Sequence, residues 1–304
     1  MRSGTAAEWT TNRERGNLTL LRGMTFCSLK FGRTFSRPFV YCIALYFFLF
    51  APRARRHSRR YLRLALGRPP TAVDRFRQIL TFATTIHDRL YLANHRDDLF
   101  DVRVEGAELM RTVVSGGRGA FLLGAHLGSF EVLRSVGRRA AGLQIVMAMY
   151  EENARMFNSM LAAVNPAAVS GIIPLGHMDA MLKISERLDA GCCVGMLGDR
   201  TLGDEPLQPV NVLGATAHLP TGPLRLAAIL RRPVIFMVGL YRGGNRYQVV
   251  FAPLADFSGV APRDRDAAVR DAIAHYALLL ERHCRSDPYN WFNFFDFWRE
   301  PGGR

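Results

Sequence analysis

The sequence predicts a layered α/β fold with a largely parallel sheet, because short apolar runs alternate with segments of helical spacing. These runs have the length of buried strands, and most precede 10–15 residues of amphipathic pattern, as in strand–helix–strand units. Two further runs flank the turn at residues 243–245 and predict a hairpin near the end of the chain. The five runs are residues 120–125, 143–150, 192–197, 233–242 and 247–254.

The remaining elements follow from periodicity and from the Gly- and Pro-containing breaks between them. Helices are expected at residues 71–94, 107–115, 129–139, 151–164, 177–191, 221–230 and 264–284. Shorter strands are expected at residues 100–106 and 171–176, and a long loop at residues 201–219. In such folds, ligands bind at the carboxyl ends of the strands, so residues that follow strands are the first candidates for a site.

The positive charge of the chain is concentrated at one end. Residues 1–70 contain 14 Lys and Arg against two acidic residues, and therefore carry +12 of the formal net charge of +14. A nucleic-acid enzyme would spread its basic residues over a folded groove. Here they flank an apolar segment, which favours an anionic membrane surface, and we expect no nucleic-acid partner.

The apolar segment at residues 39–51 lies between Pro38 and Pro52 and is followed by clustered arginines. It is shorter than the ~20 residues that span a bilayer unaided. A cleaved signal peptide is disfavoured, since the run begins far from Met1 and no small-residue cleavage site follows it. A buried core helix remains an alternative. The preferred interpretation is a helix or helical hairpin in the membrane interface, on the cytoplasmic face.

Several common kinds of site are excluded by missing motifs. The five cysteines have no paired spacing, which indicates reduced thiols. The chain has no His-Glu-x-x-His, no Cys-x-x-Cys and no Gly-x-Ser-x-Gly elbow. We therefore expect neither a metal nor a cofactor.

The most informative segment is Gly124-Ala-His-Leu-Gly-Ser-Phe-Glu131, which follows a predicted buried strand. His126 falls in the loop after the strand, and Glu131 in the next helix. A carboxylate at this spacing can fold back onto the imidazole, and such a pair can act as a general base. The spacing alone also fits a hydrogen-bonded histidine that closes a strand end, with a glutamate at the surface.

This segment resembles the His-x4-Asp/Glu motif of glycerolipid acyltransferases, and in particular the lauroyl/myristoyl (HtrB-like) acyltransferases of lipid A biosynthesis. The resemblance extends to the strand that ends at Gly198-Asp199-Arg200, the loop at residues 212–216 and the helix that opens at residues 219–223. It implies a layered α/β/α acyltransferase domain at residues 71–304, and a basic membrane-anchoring helical segment at residues 1–70.

The resemblance also implies roles for individual residues. His126 would deprotonate an acceptor hydroxyl, which attacks the thioester of an acyl carrier protein or coenzyme A, and Glu131 would orient His126. Arg200 would bind an anionic group, because arginine forms two-pronged bonds to phosphate. Asp199 could be a second carboxylate partner of the histidine, or could form a local ion pair with Arg200.

Two further side chains are candidates for substrate contacts. Ser129 lies within the motif, and Thr221 opens a predicted helix, which is also the simplest explanation of its position.

Two features depart from the resemblance and leave the acceptor open. Asp199-Arg200 stands where the lipid A enzymes often carry Asp-Gln-Asp-type residues, and the segment at residues 288–298 is unusually aromatic. Its residues fit a plug for the core, an aromatic wall for an acyl chain or an aromatic belt at the membrane interface.

Three functional interpretations follow. The first is acylation of a lipid A-type glycolipid at the inner membrane by a monomer. The second is acylation of another acceptor, such as a polyene or a different lipid. The third is a non-catalytic lipid-binding protein with the same fold.

Overall fold

The three strands predicted from the first apolar runs lie side by side in one mixed β-sheet. The computed structural model describes residues 18–139, 143–150, 172–176, 179–200 and 205–300. Within these ranges, seven strands form the sheet: β1 (Asp101–Glu105), β2 (Ala120–Gly124), β3 (Ile145–Tyr150), β4 (Ile172–Leu175), β5 (Cys193–Leu197), β8 (Pro233–Tyr241) and β9 (Arg246–Asp256). Their order across the sheet is β1-β9-β8-β2-β5-β3-β4.

The sheet is parallel from β8 to β4, and its one antiparallel pairing within the described residues is the β8–β9 hairpin. The α/β prediction and the predicted hairpin near the end are thus confirmed. The expected helix at residues 151–164 lies outside the described residues.

The region expected to be a long loop contains a second, two-stranded antiparallel sheet, so that expectation was wrong for most of its length. β6 (Leu207–Val212) pairs with β7 (Ala215–Pro220). The two residues that join them, Leu213 and Gly214, both have positive φ, as a two-residue hairpin turn requires. A leucine in the first of these positions is unusual, because asparagine or glycine adopts positive φ more readily, and the turn signal was therefore weak.

Helices cover both faces of the large sheet. They are α1 (Leu18–Phe50), α2 (Pro52–Leu66), α3 (Ala72–Ala93), α4 (Ala107–Ser115), α5 (Phe130–Arg139), α6 (Ala180–Asp189), α7 (Gly222–Ile229) and α8 (Arg265–Ser286), with short 3₁₀ turns at Asp97–Leu99 and Pro262–Asp264.

Central strand β2 contributes to both faces of the core, as the two-residue period of a strand requires. Phe121 and Leu123 pack with residues of α2, α6, α7 and α8, whereas Ala120 and Leu122 pack with residues of α3, α4 and α5. The result is a three-layered α/β/α arrangement, and burial on both faces explains why the strand sequence is continuously apolar.

Helices α1 and α2 contain most of the basic amino-terminal region. α1 contains a break at Gly32, whose φ of 83° is not helical. No single described helix is long and apolar enough to cross a bilayer, but the pair Thr25–Phe50 and Pro52–Leu66, bent by 94°, meets the criterion by length and composition. α2 also contributes Tyr61 and Leu62, both fully buried, to the core. The division at residue 70 stays a prediction.

A buried polar cluster fastens α1 to the body of the protein. Arg33 donates two hydrogen bonds to the Asp88 carboxylate in α3, at 2.7 and 2.9 Å. Tyr247 of β9 donates a third to the same carboxylate at 2.8 Å. Burial alone would raise the pKa of Asp88, but His87, Arg33 and Tyr247 together hold that pKa below its usual value. The cluster therefore joins α1, α3 and the sheet through one fully buried charge.

We expect Arg33→Met to reduce the free energy of unfolding by about 3–5 kcal/mol, because it leaves the Asp88 carboxylate, whose side chain is 0% exposed, without its cation. Denaturant titration would measure this loss. Arg96→Met is the matched control: the Arg96–Asp98 pair has side chains 52% and 63% exposed, so water screens the interaction and the loss of stability should be much smaller. Equal losses of stability in the two variants would contradict the conclusion that the Arg33–Asp88 pair fastens α1 to the rest of the fold.

Candidate active site

The carboxyl ends of two neighbouring parallel strands bring the main site residues together. Gly124 at the end of β2 is in register with Leu197 at the end of β5. His126 and Asp199 each follow their strand end by two residues. Parallel register therefore places the imidazole next to the carboxylate, although 73 residues separate them in sequence.

The Asp199 carboxylate is fully buried and accepts three hydrogen bonds. Its Oδ1 lies 2.8 Å from Nδ1 of His126. Its Oδ2 accepts the backbone N–H of His126 and the indole N–H of Trp291, each at 3.1 Å. Because these donors approach from different directions, they fix both the carboxylate and the plane of the imidazole. Asp199 assigns the ring proton to Nδ1 and leaves the Nε2 lone pair available.

Part of the imidazole is exposed. The His126 side chain is 34% exposed, although Asp199 has no exposed side-chain surface. The described hydrogen bond of the ring is made at Nδ1, and none is described at Nε2. A ring that is held at Nδ1 and partly exposed can accept a proton at Nε2 from a bound hydroxyl.

The loop that bears His126 is held by backbone contacts. The amide of Gly128 donates to the Asn290 carbonyl at 2.9 Å, and that of Ser129 to the Gly239 carbonyl at 2.7 Å. Gly128 has a φ of +78°, and a Cβ there would lie 2.1 Å from the Gly239 carbonyl oxygen. Only glycine fits this conformation and this close approach, so the residue fixes how near the loop lies to β8.

The aromatic carboxyl-terminal segment packs beneath this loop. Trp291 is fully buried, with its ring edge-on to Tyr61 at 4.9 Å and to Phe297 at 4.7 Å between centroids. Gln78 donates to the Trp291 carbonyl at 2.6 Å, and the Phe292 amide donates to the His126 carbonyl at 2.8 Å. The segment is thus part of the core, and it also supplies a hydrogen-bond donor to the site. The sequence contained no spacing signal for this contact.

The expected pairing of Glu131 with His126 is not present in the structure, and Asp199 takes that position. No hydrogen bond or ion pair joins Glu131 to His126 within the described residues. Glu131, with its side chain 1% exposed, instead forms ion pairs with Arg134 at 3.3 Å and Arg138 at 3.6 Å. Glu131 lies in the first turn of α5, and these arginines lie one and two turns further along the same helix, within reach of its side chain.

Arg200 lies beside the pair and is held by the same carboxyl-terminal segment. Its guanidinium donates to the Phe292 carbonyl at 2.9 Å and lies 4.8 Å from the ring centroid of Phe295. Its Nε is buried and has no hydrogen-bond partner among the described residues. The alternative of a direct ion pair with Asp199 is not found among the described contacts, so Arg200 contributes its charge to the site from a short distance.

Ser129 and Thr221, the other two residues expected to contact substrate, have no described contact with the His126–Asp199 pair. Ser129 is 3% exposed and is fixed by its backbone bond to β8. Thr221 is 8% exposed and precedes α7 without capping it through its side chain.

The electrostatics of the site favour a neutral His126 imidazole and, beside it, an ionised Asp199 carboxylate. Burial and then the charge of Arg200 lower the pKa of His126, against the opposing effect of Asp199. Burial alone would raise the pKa of Asp199, but His126, Arg200 and the Trp291 indole hold it well below its usual value. His126 therefore stays deprotonated to a lower pH than an ordinary histidine, as a general base must.

A partly exposed imidazole fixed by a buried carboxylate, at the carboxyl edge of an α/β sheet, is an arrangement that can support general-base chemistry. No group of three or more potential metal-ligating side chains occurs among the described residues.

The family model described as bacterial lipid A biosynthesis acyltransferase matches residues 15–300, and the chain belongs to this family. Membership supports acyltransferase activity in lipid A biosynthesis. No match was found among curated proteins.

We expect Trp291→Phe to lower kcat about tenfold with KM nearly unchanged, since Asp199 loses one charge-assisted hydrogen bond, worth about 1.5–3 kcal/mol. The remaining carboxylate charge would interact more strongly with the imidazolium, so the acid limb of the pH–rate profile should move to higher pH. Trp298→Phe is the matched control, because its indole donates to the Val212 carbonyl and not to Asp199. The same kcat loss and no pH shift in both variants would indicate a packing role alone.

Proposed function

We propose that this protein transfers a fatty acyl group from an acyl thioester, carried by acyl carrier protein or coenzyme A, to a hydroxyl of a membrane glycolipid of lipid A type or a related lipid. The observation that carries the proposal is the 2.8 Å contact between Nδ1 of His126 and the buried Asp199 carboxylate, with the imidazole partly exposed, in a chain of an acyltransferase family. His126 is the general base, and Asp199 replaces Glu131 as the residue that orients it.

The reaction proceeds by proton transfer coupled to acyl transfer. Nε2 of His126 takes the proton of the acceptor hydroxyl while the oxygen attacks the thioester carbonyl. The tetrahedral intermediate collapses with loss of the thiolate, which takes the proton back from the imidazolium. The ester and the free thiol are the products, and the enzyme returns to its starting protonation state. Asp199 stabilises the imidazolium throughout and need not itself be protonated.

Arg200 suits a supporting role in this scheme. Its guanidinium is already anchored through one nitrogen to the Phe292 carbonyl, while Nε has no partner in the part of the chain that the structure describes. A positive charge here favours negative charge that develops on substrate oxygen atoms. The same charge lowers the pKa of His126 and thereby keeps the base neutral at physiological pH.

We expect His126→Ala and Asp199→Asn each to lower kcat about 10²–10⁴-fold, the usual contribution of a positioned acid–base group. Glu131→Gln should lower kcat less than about tenfold, because the described hydrogen bonds and ion pairs of Glu131 go to Arg134 and Arg138 and not to the ring. The assay is transfer of labelled acyl groups from acyl carrier protein and from coenzyme A to extracted lipids.

The pH–rate profile provides the control for this comparison. In the wild type, the acid limb should lie below the ordinary histidine pKa of 6.5, because the pKa of His126 is lowered. Asp199→Asn removes a charge that raises this pKa, so the limb should move still lower. A larger loss in Glu131→Gln than in Asp199→Asn would restore Glu131 as the orienting residue. Undiminished acylation by His126→Ala would favour the lipid-binding alternative.

We further propose that α1 and α2 attach the protein to the cytoplasmic face of the inner membrane. Large apolar side chains on α1 are exposed, among them Phe39 at 56%, Phe47 at 49% and Phe50 at 63%. Exposed arginines of α2, such as Arg53 and Arg56, follow directly after the bend. An apolar face next to a basic one suits acyl chains beneath anionic headgroups, and would bring a lipid acceptor close to the site.

We expect the double variant Phe47→Glu with Phe50→Glu to lose most of its binding to vesicles of phosphatidylcholine and phosphatidylglycerol, because two buried charges oppose insertion. Vesicle flotation measures this, and wild-type binding should weaken when phosphatidylglycerol is omitted or salt is added. Leu278→Glu is the control, since Leu278 is 66% exposed on α8 and away from α1. Flotation that is the same in the double variant and in the control would refute the proposed attachment face.

A further inference from the structure

Helix α1 is packed along α3 over most of its length. Near the beginning of α1, the Tyr91 hydroxyl donates to the Ser28 carbonyl at 3.0 Å. Near its end, the rings of Phe48 and Phe76 meet with 5.8 Å between their centroids. The two helices are therefore antiparallel, and the segment of α1 between these contacts has a length of roughly 30 Å. Because α1 is fixed at both ends of this segment, its direction is set by that of α3.

One stripe of α1 is buried. Its members are Thr25, Ser28, Ser36, Val40 and Ala44, each at most 5% exposed. Most of them are three or four residues apart, as on one face of a helix. Most contacts of α1 in the described chain are with α3, so the stripe faces that helix. Lipid can therefore reach α1 only from the other side.

Helix α3 belongs to the body of the protein and is not itself a membrane helix. Tyr91 and Leu92 are buried among residues of the large sheet, and Gln78 donates to the Trp291 carbonyl. Arg77 is exposed and follows Phe76, the residue that contacts α1. If α1 stood across a bilayer, Arg77 would lie level with the hydrocarbon core, which is about 30 Å thick and unfavourable for a charge. The packing therefore favours a helix that lies along the membrane.

The outer side of α1 is apolar along its length, on both sides of the break at Gly32. Phenylalanines that are 49–63% exposed occur from one end to the other, namely Phe26, Phe31, Phe35, Phe39, Phe47 and Phe50. A helix inserted end-on needs an apolar surface only where it enters the hydrocarbon. A continuous apolar face opposite a buried stripe is typical of a helix that lies in the membrane interface.

Helix α2 adds a basic surface next to this apolar one. Arg53, Arg56, Arg59 and Arg63 are exposed, and none of them has an ion pair among the described residues. They are three or four residues apart, on the side of α2 opposite the buried Tyr61. An apolar face beside a basic one suits acyl chains together with anionic headgroups, which a bilayer offers and an acidic protein does not.

We propose that α1 lies in the plane of the cytoplasmic leaflet, with its outer face among the acyl chains and α3 on its inner side. Residues 25–50 then begin and end on the same side of the membrane. The inference rests on the proposed membrane attachment, to which it adds the direction of the helix and the one leaflet that it contacts. An in-plane helix is immersed by only about 5–10 Å, so the protein reaches lipids of that leaflet alone.

Two native thiols on α1 can measure its direction. Cys27 and Cys42 are exposed. Cys27 is two residues from Thr25, and Cys42 is two residues from both Val40 and Ala44. Because two residues of helix correspond to a rotation of about 200°, both thiols point away from the buried stripe. Their separation along the helix is roughly 22 Å, so their depths agree if α1 lies in the plane and differ strongly if it crosses the membrane.

The test attaches an environment-sensitive fluorophore to one thiol of the full-length protein at a time. Cys42→Ser leaves Cys27 for labelling, and Cys27→Ser leaves Cys42. The other three cysteines are buried, so the variant with both substitutions should take up no label. Leu278→Cys in that double-serine background is the matched control, since Leu278 is 66% exposed on α8.

The labelled proteins are bound to vesicles of phosphatidylcholine and phosphatidylglycerol that carry a nitroxide at a shallow or a deep position of the acyl chain. We expect the same nitroxide position to quench the labels at Cys27 and Cys42 most strongly, with depths that agree within about 5 Å. Iodide in the water should quench neither of them. The label at Leu278→Cys should show the reverse, with quenching by iodide and none by the nitroxide lipids.

The inference is overturned if the two depths differ by an amount close to the length of helix between the thiols. It is also overturned if either label on α1 stays in water while the protein floats with the vesicles. Loss of flotation would reject the membrane attachment together with this inference. Acyl transfer is measured separately on detergent-solubilised protein, so failure of the catalytic proposal is distinguishable from both.

Discussion

The site depends on one buried carboxylate. Asp199 has no exposed side-chain surface, and an isolated charge in such a place would be strongly unfavourable. It is retained because the ring N–H and backbone N–H of His126 and the indole N–H of Trp291 all donate to it. The same hydrogen bonds fix the orientation of the imidazole, so the contacts that stabilise the charge of Asp199 also position the ring of His126.

These bonds require segments from both ends of the chain. Trp291 comes from the carboxyl-terminal segment, whose aromatic rings pack against Tyr61 of α2, while Gln78 of α3 holds the Trp291 carbonyl. Helices α2 and α3 therefore belong to the support of the site as well as to the amino-terminal half of the fold. The Arg33–Asp88 pair fastens α1 to the same α3. The apolar face of α1 is consequently connected to the catalytic loop through one helix.

Opposing effects of burial and of neighbouring charges set the pKa of His126. Asp199 favours the protonated imidazole, whereas burial and Arg200 disfavour it, and the balance lowers the pKa of His126. Glu131 is not among the groups that shift the pKa of His126, and its two arginine partners lie on its own helix. A carboxylate five residues from the histidine can thus stabilise α5 while a carboxylate from another strand performs the positioning. The motif spacing alone does not distinguish these two arrangements.

The sequence by itself determined the α/β class, the central strands, the hairpin near the end and the place of His126 after a strand. These features follow from local periodicity, since a strand or helix buries its apolar side chains at a repeat that the sequence displays. It identified Asp199 only as a second partner, favoured Glu131, and did not indicate the contact from Trp291 or the β6–β7 hairpin. Only the tertiary structure decided these points. Which carboxylate reaches His126 depends on the register of β2 against β5 and on the return of residue 291 beneath the loop, and pairings between such distant residues leave no periodic trace in one sequence.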